Sequence, residues 1–273
     1  MFDRIDKKST LADVVCETIQ NRIIEGRISA GEALPTEPEL AQQFNVSRAV
    51  IRDACRMLMA KGLLDIRHGK GMFVTRSQER AFGEALLTAL RRDGASVWDV
   101  EQFEQSWYPE IFVLAAENMS PELYQEITGA LEKHLELFAD LTRRACSQKR
   151  DMTAQERSEL LASYRPVLRL ILTATGNTLI SLVGMSLRRL RNLRNWTGGE
   201  EDPEAIIQKE RDVFFAMVET LRLSDPEEIR ATLRDLLWLP DTAVEAMKKT
   251  PIGEVVTIDT GGGPIRENKK SNG

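Results

Sequence analysis

The chain has 273 residues, 42% of them hydrophobic and 29% charged, with a formal net charge of −5. That length and balance suit one large or two ordinary globular domains and exclude a disordered chain. No apolar run approaches the roughly 20 residues that span a bilayer, and the polar start MFDRIDKKST lacks a signal-peptide core, so a cytoplasmic location without a membrane partner is expected.

In chain order, LADVVCETIQNRIIEG (11–26) places Val14, Val15, Ile19, Ile23 and Ile24 at helical spacing, and Gly26 ends that helix. SAGEALP reads as a turn. Thr36, three residues before Glu39, forms a capping box that opens a second helix running to about Phe44. Asn45-Val46 is a break. Ser47 caps a third helix that continues to Lys61, with Gly62 as its stop. LLDIRHGKGMFVT then predicts two short strands around the turn His68 to Gly71. Three helices and a hairpin within about 65 residues make a winged helix-turn-helix unit.

From about Phe82 the pattern is helical, over 82–93, 97–118, 120–146, 154–175, 177–195, 203–223 and 225–248, and no strand is predicted before the tail. The fold class is therefore mainly α: an N-terminal winged helix-turn-helix domain (1–76), a linker (77–81), and an all-α bundle effector-binding and dimerisation domain (82–250). The Gly-rich, polar 251–273 reads as a disordered tail. Cys16, Cys55 and Cys146 are widely spaced and read as free thiols, with no metal motif.

The acidic total hides an asymmetry. Residues 1–76 hold 12 Lys+Arg against 10 Asp+Glu, and within 47–76 the balance is seven basic to two acidic. At about 100° per residue, Arg48, Ala49, Arg52, Asp53 and Arg56 share one side of the third helix. Val50, Ile51, Ala54, Cys55, Met57 and Leu58 share the other. Arginines at a helix start can donate paired hydrogen bonds to guanine edges or phosphates in a major groove, and the capping serine can bond a phosphate. At the hairpin tip His68, Gly69 and Lys70 would offer a slim, basic reach to a groove or backbone. The competing reading, a solvated charged face, is weakened by the preceding helix, the break and the wing in their right order.

GEALPTEPELAQQFNVSRAVIRDACRMLMAKGLL followed by RHGKGMFV closely resembles the N-terminal domain of GntR-family bacterial transcription regulators. The helical remainder resembles the effector domain of the FadR subfamily, most clearly in TATGN at 173–177. The resemblance implies a homodimer on a palindromic double-stranded operator. It implies DNA contacts from Arg48 and Arg52, with Ser47, Ala49, Val50, His68, Gly69 and Lys70 close to DNA. One position departs from the family: after Glu37 an arginine is usual and Pro38 stands here, which removes a phosphate or base contact.

Most FadR-type domains hold a metal through one aspartate and three histidines. Those positions fall here at Tyr164, Leu168, near Phe214 and near Leu236, and the only histidines in the chain are His68 and His134. No metal and no cofactor are expected. An apolar centre leaves two readings: a pocket for a lipid-like or acyl effector, or a filled core with no effector. Candidate effector-binding residues are Tyr108, Tyr164, Arg165, Leu168, Arg188, Arg191, Trp196 and Phe214. Arg188, Arg189, Arg191 and Arg194 have two readings, a solvated or salt-bridged face and a cluster that neutralises the phosphates of a coenzyme A head group. An enzyme with a vestigial DNA-binding head is the rival class, and His134 with Glu132 and Glu136 is too little for a catalytic constellation.

Overall fold

The computed structural model describes residues 9–67, 69, 71–75, 79–187, 194–197, 202–254 and 256–259. The chain divides into two compact units, Met1–Ala85 and Leu86–Gly273.

The first unit holds α1 (Leu11–Ile24), α2 (Glu37–Phe44), α3 (Arg48–Ala60), β1 (Leu64–Arg67) and β2 (Gly71–Val74), and the start of α4 (Glu79–Arg92). Local chemistry sets each boundary. Thr10 with Asp13 and Thr36 with Glu39 close capping boxes, satisfying first-turn N–H groups that a helix leaves orphaned. Asn45 ends α2 in the left-handed region at φ 51°, which its short polar side chain tolerates, and this makes the sharp turn into α3. The core joins Val15, Cys16 and Ile19 of α1 to Leu40 of α2 and to Ile51, Ala54, Cys55 and Leu58 of α3. Ile51, Ala54 and Leu58 are fully buried, and burial of such a side chain as Ile or Leu is worth about 1.5–3 kcal/mol.

β1 and β2 pair antiparallel, with Leu64 opposite Val74 and Arg67 opposite Gly71. The stretch read as the turn SAGEALP does more than turn. Gly31 N and Leu34 N donate to Val74 O and Met72 O, and Ala33 bridges Phe73, so it adds a third edge to the wing sheet. Gly62 ends the third helix at φ +70°, and a Cβ there would lie 2.5 Å from the Ala81 Cβ, so only glycine lets these segments meet. Helix α4 begins at Glu79, inside the segment read as a linker.

The second unit contains the rest of α4 and α5 (Val97–Glu117), α6 (Pro121–Ser147), α7 (Ala154–Ala174), α8 (Thr178–Leu187), β3 (Arg194–Thr197), α9 (Pro203–Glu219), α10 (Pro226–Leu236), α11 (Asp241–Lys249) and β4 (Val256–Asp259). Helix α6 packs against α7 and α9, while α5 packs against α7, α10 and α11. Ile111, Phe112, Ile127, Leu131, Ile171, Leu172, Leu221 and Leu233 fill the common core. Pro109 and Pro166 lie inside α5 and α7, and both helices run through them as the periodicity predicts. Arg230 of α10 forks onto both carboxylate oxygens of Glu110 at 2.7 and 2.9 Å, tying α10 to α5.

Three expectations are corrected. The predicted helix 225–248 is two helices, because Pro240 cannot continue α10 and instead stands as the residue before α11. The predicted helix 177–195 is helical over Thr178–Leu187, while residues 194–197 pair in parallel with 256–259, so a strand does precede the tail. The start of the expected disordered tail is also held. Val97 N donates to Thr250 O at 2.9 Å and Ile252 N to Ala95 O at 3.0 Å. Ile252 is buried against Val100 and Leu187, and Arg91 Nε donates to its carbonyl at 3.3 Å.

Candidate nucleic-acid interface

The interface is built on the start of α3. Ser47 Oγ accepts from Val50 N–H at 3.3 Å, fixing the first turn while its hydroxyl stays exposed. The amphipathic division sends Ile51, Ala54, Cys55 and Leu58 inward and leaves Arg48, Ala49, Arg52, Asp53 and Arg56 exposed. Val50 is half-buried against the core, so its side chain is shared between packing and the exposed face.

The three arginines are not equivalent. Arg48, the first residue of α3, forms no ion pair among the described residues. Arg52 donates from Nε (3.4 Å) and Nη2 (3.2 Å) to Glu37 Oε2, across from α3 to the first residue of α2. Arg56 reaches Asp53 at 3.5 Å on its own helix. Both pairings are exposed enough to be worth about 0–1 kcal/mol in stability, so their main consequence is where the guanidinium groups point. Pro38 follows Glu37 in the first turn of α2, where its missing N–H costs no helix bond. Below this surface the Cys55 thiol is pushed up to about 11 by burial first, then by the Glu37 carboxylate and Cys16, so it stays a protonated core side chain.

At the wing, Gly69 (φ +71°) and Gly71 (φ +101°) hold left-handed backbone that the tight tip requires, and Gly69 is exposed. His68 and Lys70 lie outside the described residues. Arg67, absent from the candidates above, sits with its guanidinium 4.3 Å from the centre of the Phe73 ring, as diagonal neighbours across the strand pair. The signal for it was a basic residue at the end of a strand next to the tip, opposite a strand that carries an aromatic.

In the helical unit, Tyr108, Tyr164 and Leu168 are buried in the core, and Phe214 packs half-buried against it. Tyr164, Phe214 and His134 form a ring triangle with centroids 5.1–5.6 Å apart. His134 Nδ1 lies 2.7 Å from Ser163 Oγ, and that hydroxyl gives its hydrogen to Leu160 O, so Nδ1 carries the proton between them. His134 is a buried packing residue, while Glu132 and Glu136 are exposed. Arg165 is exposed on α7, and Trp196 lies on β3 with its side chain outside the described set. Arg188 and Arg191 lie outside the described residues. Among the described residues no group of three or more His, Cys, Asp or Glu converges to hold a metal ion. At the positions where the FadR resemblance would place metal ligands, Tyr164, Leu168, Phe214 and Leu236 carry no imidazole and no carboxylate. A separate groove of about 740 Å³ opens between the end of α5, the start of α6 and residues 221–229, lined by Val113, Met119, Tyr124, Leu221, Arg222 and Ile229 among others. No described helix is long and apolar enough to cross a membrane.

Comparison with known proteins bears on the same stretch. Residues 11–74 match the family model for bacterial regulatory proteins, gntR family. The galactonate operon transcriptional repressor of Escherichia coli is 27% identical over 209 residues, covering 75% of this chain and 86% of that protein. The HTH-type transcriptional regulator Mce2R of Mycobacterium tuberculosis is 30% identical over 128 residues, 45% of this chain and 53% of that protein. The solved structure of Streptococcus agalactiae GntR shares the fold, at TM-score 0.53 and 16% identity over 83% of this chain and 96% of that one. The family match spans the three helices and the wing that present the exposed arginines, and it leads to one conclusion: residues 11–74 form a DNA-binding segment similar to that of the gntR family of bacterial regulatory proteins.

Proposed function

We propose that the chain acts in the cytoplasm as a homodimer on a palindromic operator, as a FadR-type member whose grip on DNA responds to a small ligand in the helical unit. The exposed Ser47–Arg48–Arg52 end of α3 carries this reading, because a capped helix start with outward arginines fits the major groove. A dimer supplies two such helix starts, and with them the affinity that one small module lacks. Ser47, Arg48, Ala49, Arg52 and the wing segment His68, Gly69 and Lys70 are the proposed contacts, with Val50 packed behind them.

For the ligand, the aromatic interior around Tyr108, Tyr164, Leu168 and Phe214 is the proposed seat of an apolar or acyl-type molecule, with Arg165, Arg188, Arg191 and Trp196 as polar partners. The second reading, a regulator without an effector, is favoured by the ring triangle, whose close packing resembles an ordinary core.

The test is selection of bound duplexes from a randomised pool, then fluorescence anisotropy of the enriched site against salt, with and without an acyl-CoA panel. A palindromic motif with a steep salt slope is the expected result. Failure to enrich any motif refutes the regulator's proposed mode of action. No change in thermal unfolding or affinity with any acyl chain length removes the acyl ligand and leaves the effector-free form.

A further inference from the structure

One wall of the groove beside the end of α5 already holds a cation, and the chain supplies it. Tyr124 Oη donates to Glu219 Oε1 at 2.7 Å, which ties a ring of α6 to the carboxylate at the end of α9. Partial burial, then that carboxylate, push the Tyr124 phenol up, so it remains the donor. Against this pair sits Arg222. Its guanidinium carbon is 5.3 Å from the centre of the Tyr124 ring and its Nη1 is 3.6 Å from Glu219 Oε2. An aromatic face with a carboxylate beside it is an arrangement that holds organic cations. Arg222 is a loose occupant: its side chain is 64% exposed, and its approach to Glu219 is too long for a hydrogen bond.

The space beside this wall suits a molecule larger than an ion. Tyr124 and Arg222 both line the groove of about 740 Å³, inside the range of about 300–1,000 Å³ usual for small-molecule sites. Val113, Leu221 and Ile229 of its lining are buried, and Met119 is half-buried, so the groove has an apolar floor. Among the described lining residues Arg222 is the one cation and Glu117 the one acid. With Arg222 swung out, the groove offers a ring face and the Glu117 and Glu219 carboxylates above that floor. Such a surface attracts a positive head group and repels a negative one. We propose that this groove binds an organic amine with an apolar body, whose charged head takes the place of Arg222 against Tyr124 and Glu219. The site is separate from the aromatic interior around Tyr164, and its ligand is opposite in charge to an acyl-CoA. It does not rest on the regulator reading.

The test titrates the full chain, labelled at its methionine methyl groups, with phenethylamine, phenethyl alcohol and hydrocinnamate. These probes share one apolar body and differ in the charge of the head. The Met119 methyl resonance, assigned by its loss in Met119→Leu, reads the groove, and that of buried Met185 reads the fold. Phenethylamine should shift the Met119 methyl saturably, the alcohol should bind more weakly, and hydrocinnamate weakest. Arg222→Ala empties the box and should tighten the amine about 2–5-fold, the opposite of what losing a contact does. Tyr124→Leu should weaken it by about 2–5-fold, while Tyr124→Phe keeps the ring's share. Glu219→Gln should shrink the advantage of the amine over the alcohol. No saturable shift by the amine in wild-type and Arg222→Ala overturns the site. Binding that ignores head charge overturns it too, since the groove is then merely apolar. So does weaker amine binding by Arg222→Ala, which would make the arginine a ligand contact. If Tyr124→Leu disturbs Met185, the Arg222→Ala and Glu219→Gln variants, both at exposed side chains, decide the matter.

Discussion

Replacing Arg48 with alanine should weaken DNA binding and strengthen the fold, and the opposed signs make the test sharp. Arg48 is the first residue of α3, whose first turn holds no acidic side chain. A cation there opposes the positive end of the helix dipole, which costs about 0.3–1 kcal/mol at an exposed site. Alanine also has the higher helix propensity. Among the described residues Arg48 has no ion pair to lose, so Arg48→Ala should gain about 0.3–1 kcal/mol in the first unit. Binding moves the other way. A bidentate contact to guanine is worth about 1–3 kcal/mol, so affinity should fall about 5–150-fold per half-site. If Arg48 instead meets a phosphate, the loss should be uniform across sequences and the salt slope should drop by about one per half-site. Anisotropy titrations at several salt concentrations measure the affinity, and hydrogen exchange of the α3 amides in the full chain measures the stability. Unchanged affinity refutes Arg48 as a contact. Weaker binding with faster α3 exchange refutes the dipole argument, because the loss would then be unfolding.

Ser47→Ala should cost about 0.5–2 kcal/mol by removing the cap on Val50 N–H, read as faster α3 exchange, and should also weaken DNA binding through the lost hydroxyl. Gly62→Ala should cost at least about 1–2 kcal/mol, since φ +70° disfavours any Cβ and Ala81 stands in its way; a thermal midpoint equal to wild-type refutes that close approach. The Arg150 guanidinium, then the Thr153 N–H, hold the Glu156 carboxyl at about 2, below its ordinary 4.5. Its folded value is depressed, so its contribution is fully present above about pH 4.5 and lost as pH falls towards 2. The stability gap between wild-type and Glu156→Gln, from urea titrations, should accordingly shrink across that window; a gap independent of pH refutes the pairing.

What was legible in the sequence was what a short stretch decides for itself. Thr36 and Ser47 announce helix starts because a cap needs only its own next three residues. The arginine face follows from a 3.6-residue period, and the wing tip from glycines that tolerate positive φ. The misses needed partners distant in sequence. Residues 31–34 look like a turn until β2 lies beside them. Ile252 looks like part of a polar tail until Ala95 and Arg91 hold its backbone. The Glu37–Arg52 pair joins two helices and appears only once Asn45 has folded one against the other. Pro240 was a different failure, for its meaning is local: it ends a helix, and the apolar period on either side concealed it.

The same contrast between local and global explains how an acidic chain handles a polyanion. Net charge describes the far field, and at 0.1–0.15 M salt that field is screened beyond about 8–10 Å. Within that range a phosphate at the α3 start meets Arg48 and Arg52, while the acidic excess of residues 77–273 contributes only where its charges come comparably near. Arg48 then acts as a bare charge, whereas Arg52 comes with a carboxylate attached. The first can bind any backbone, and the second is partly neutralised before it meets DNA. Glu37 lowers the positive charge that the α3 start presents, so Glu37→Gln should raise affinity for any duplex at low salt. Unchanged non-specific binding in an anisotropy titration refutes that local argument.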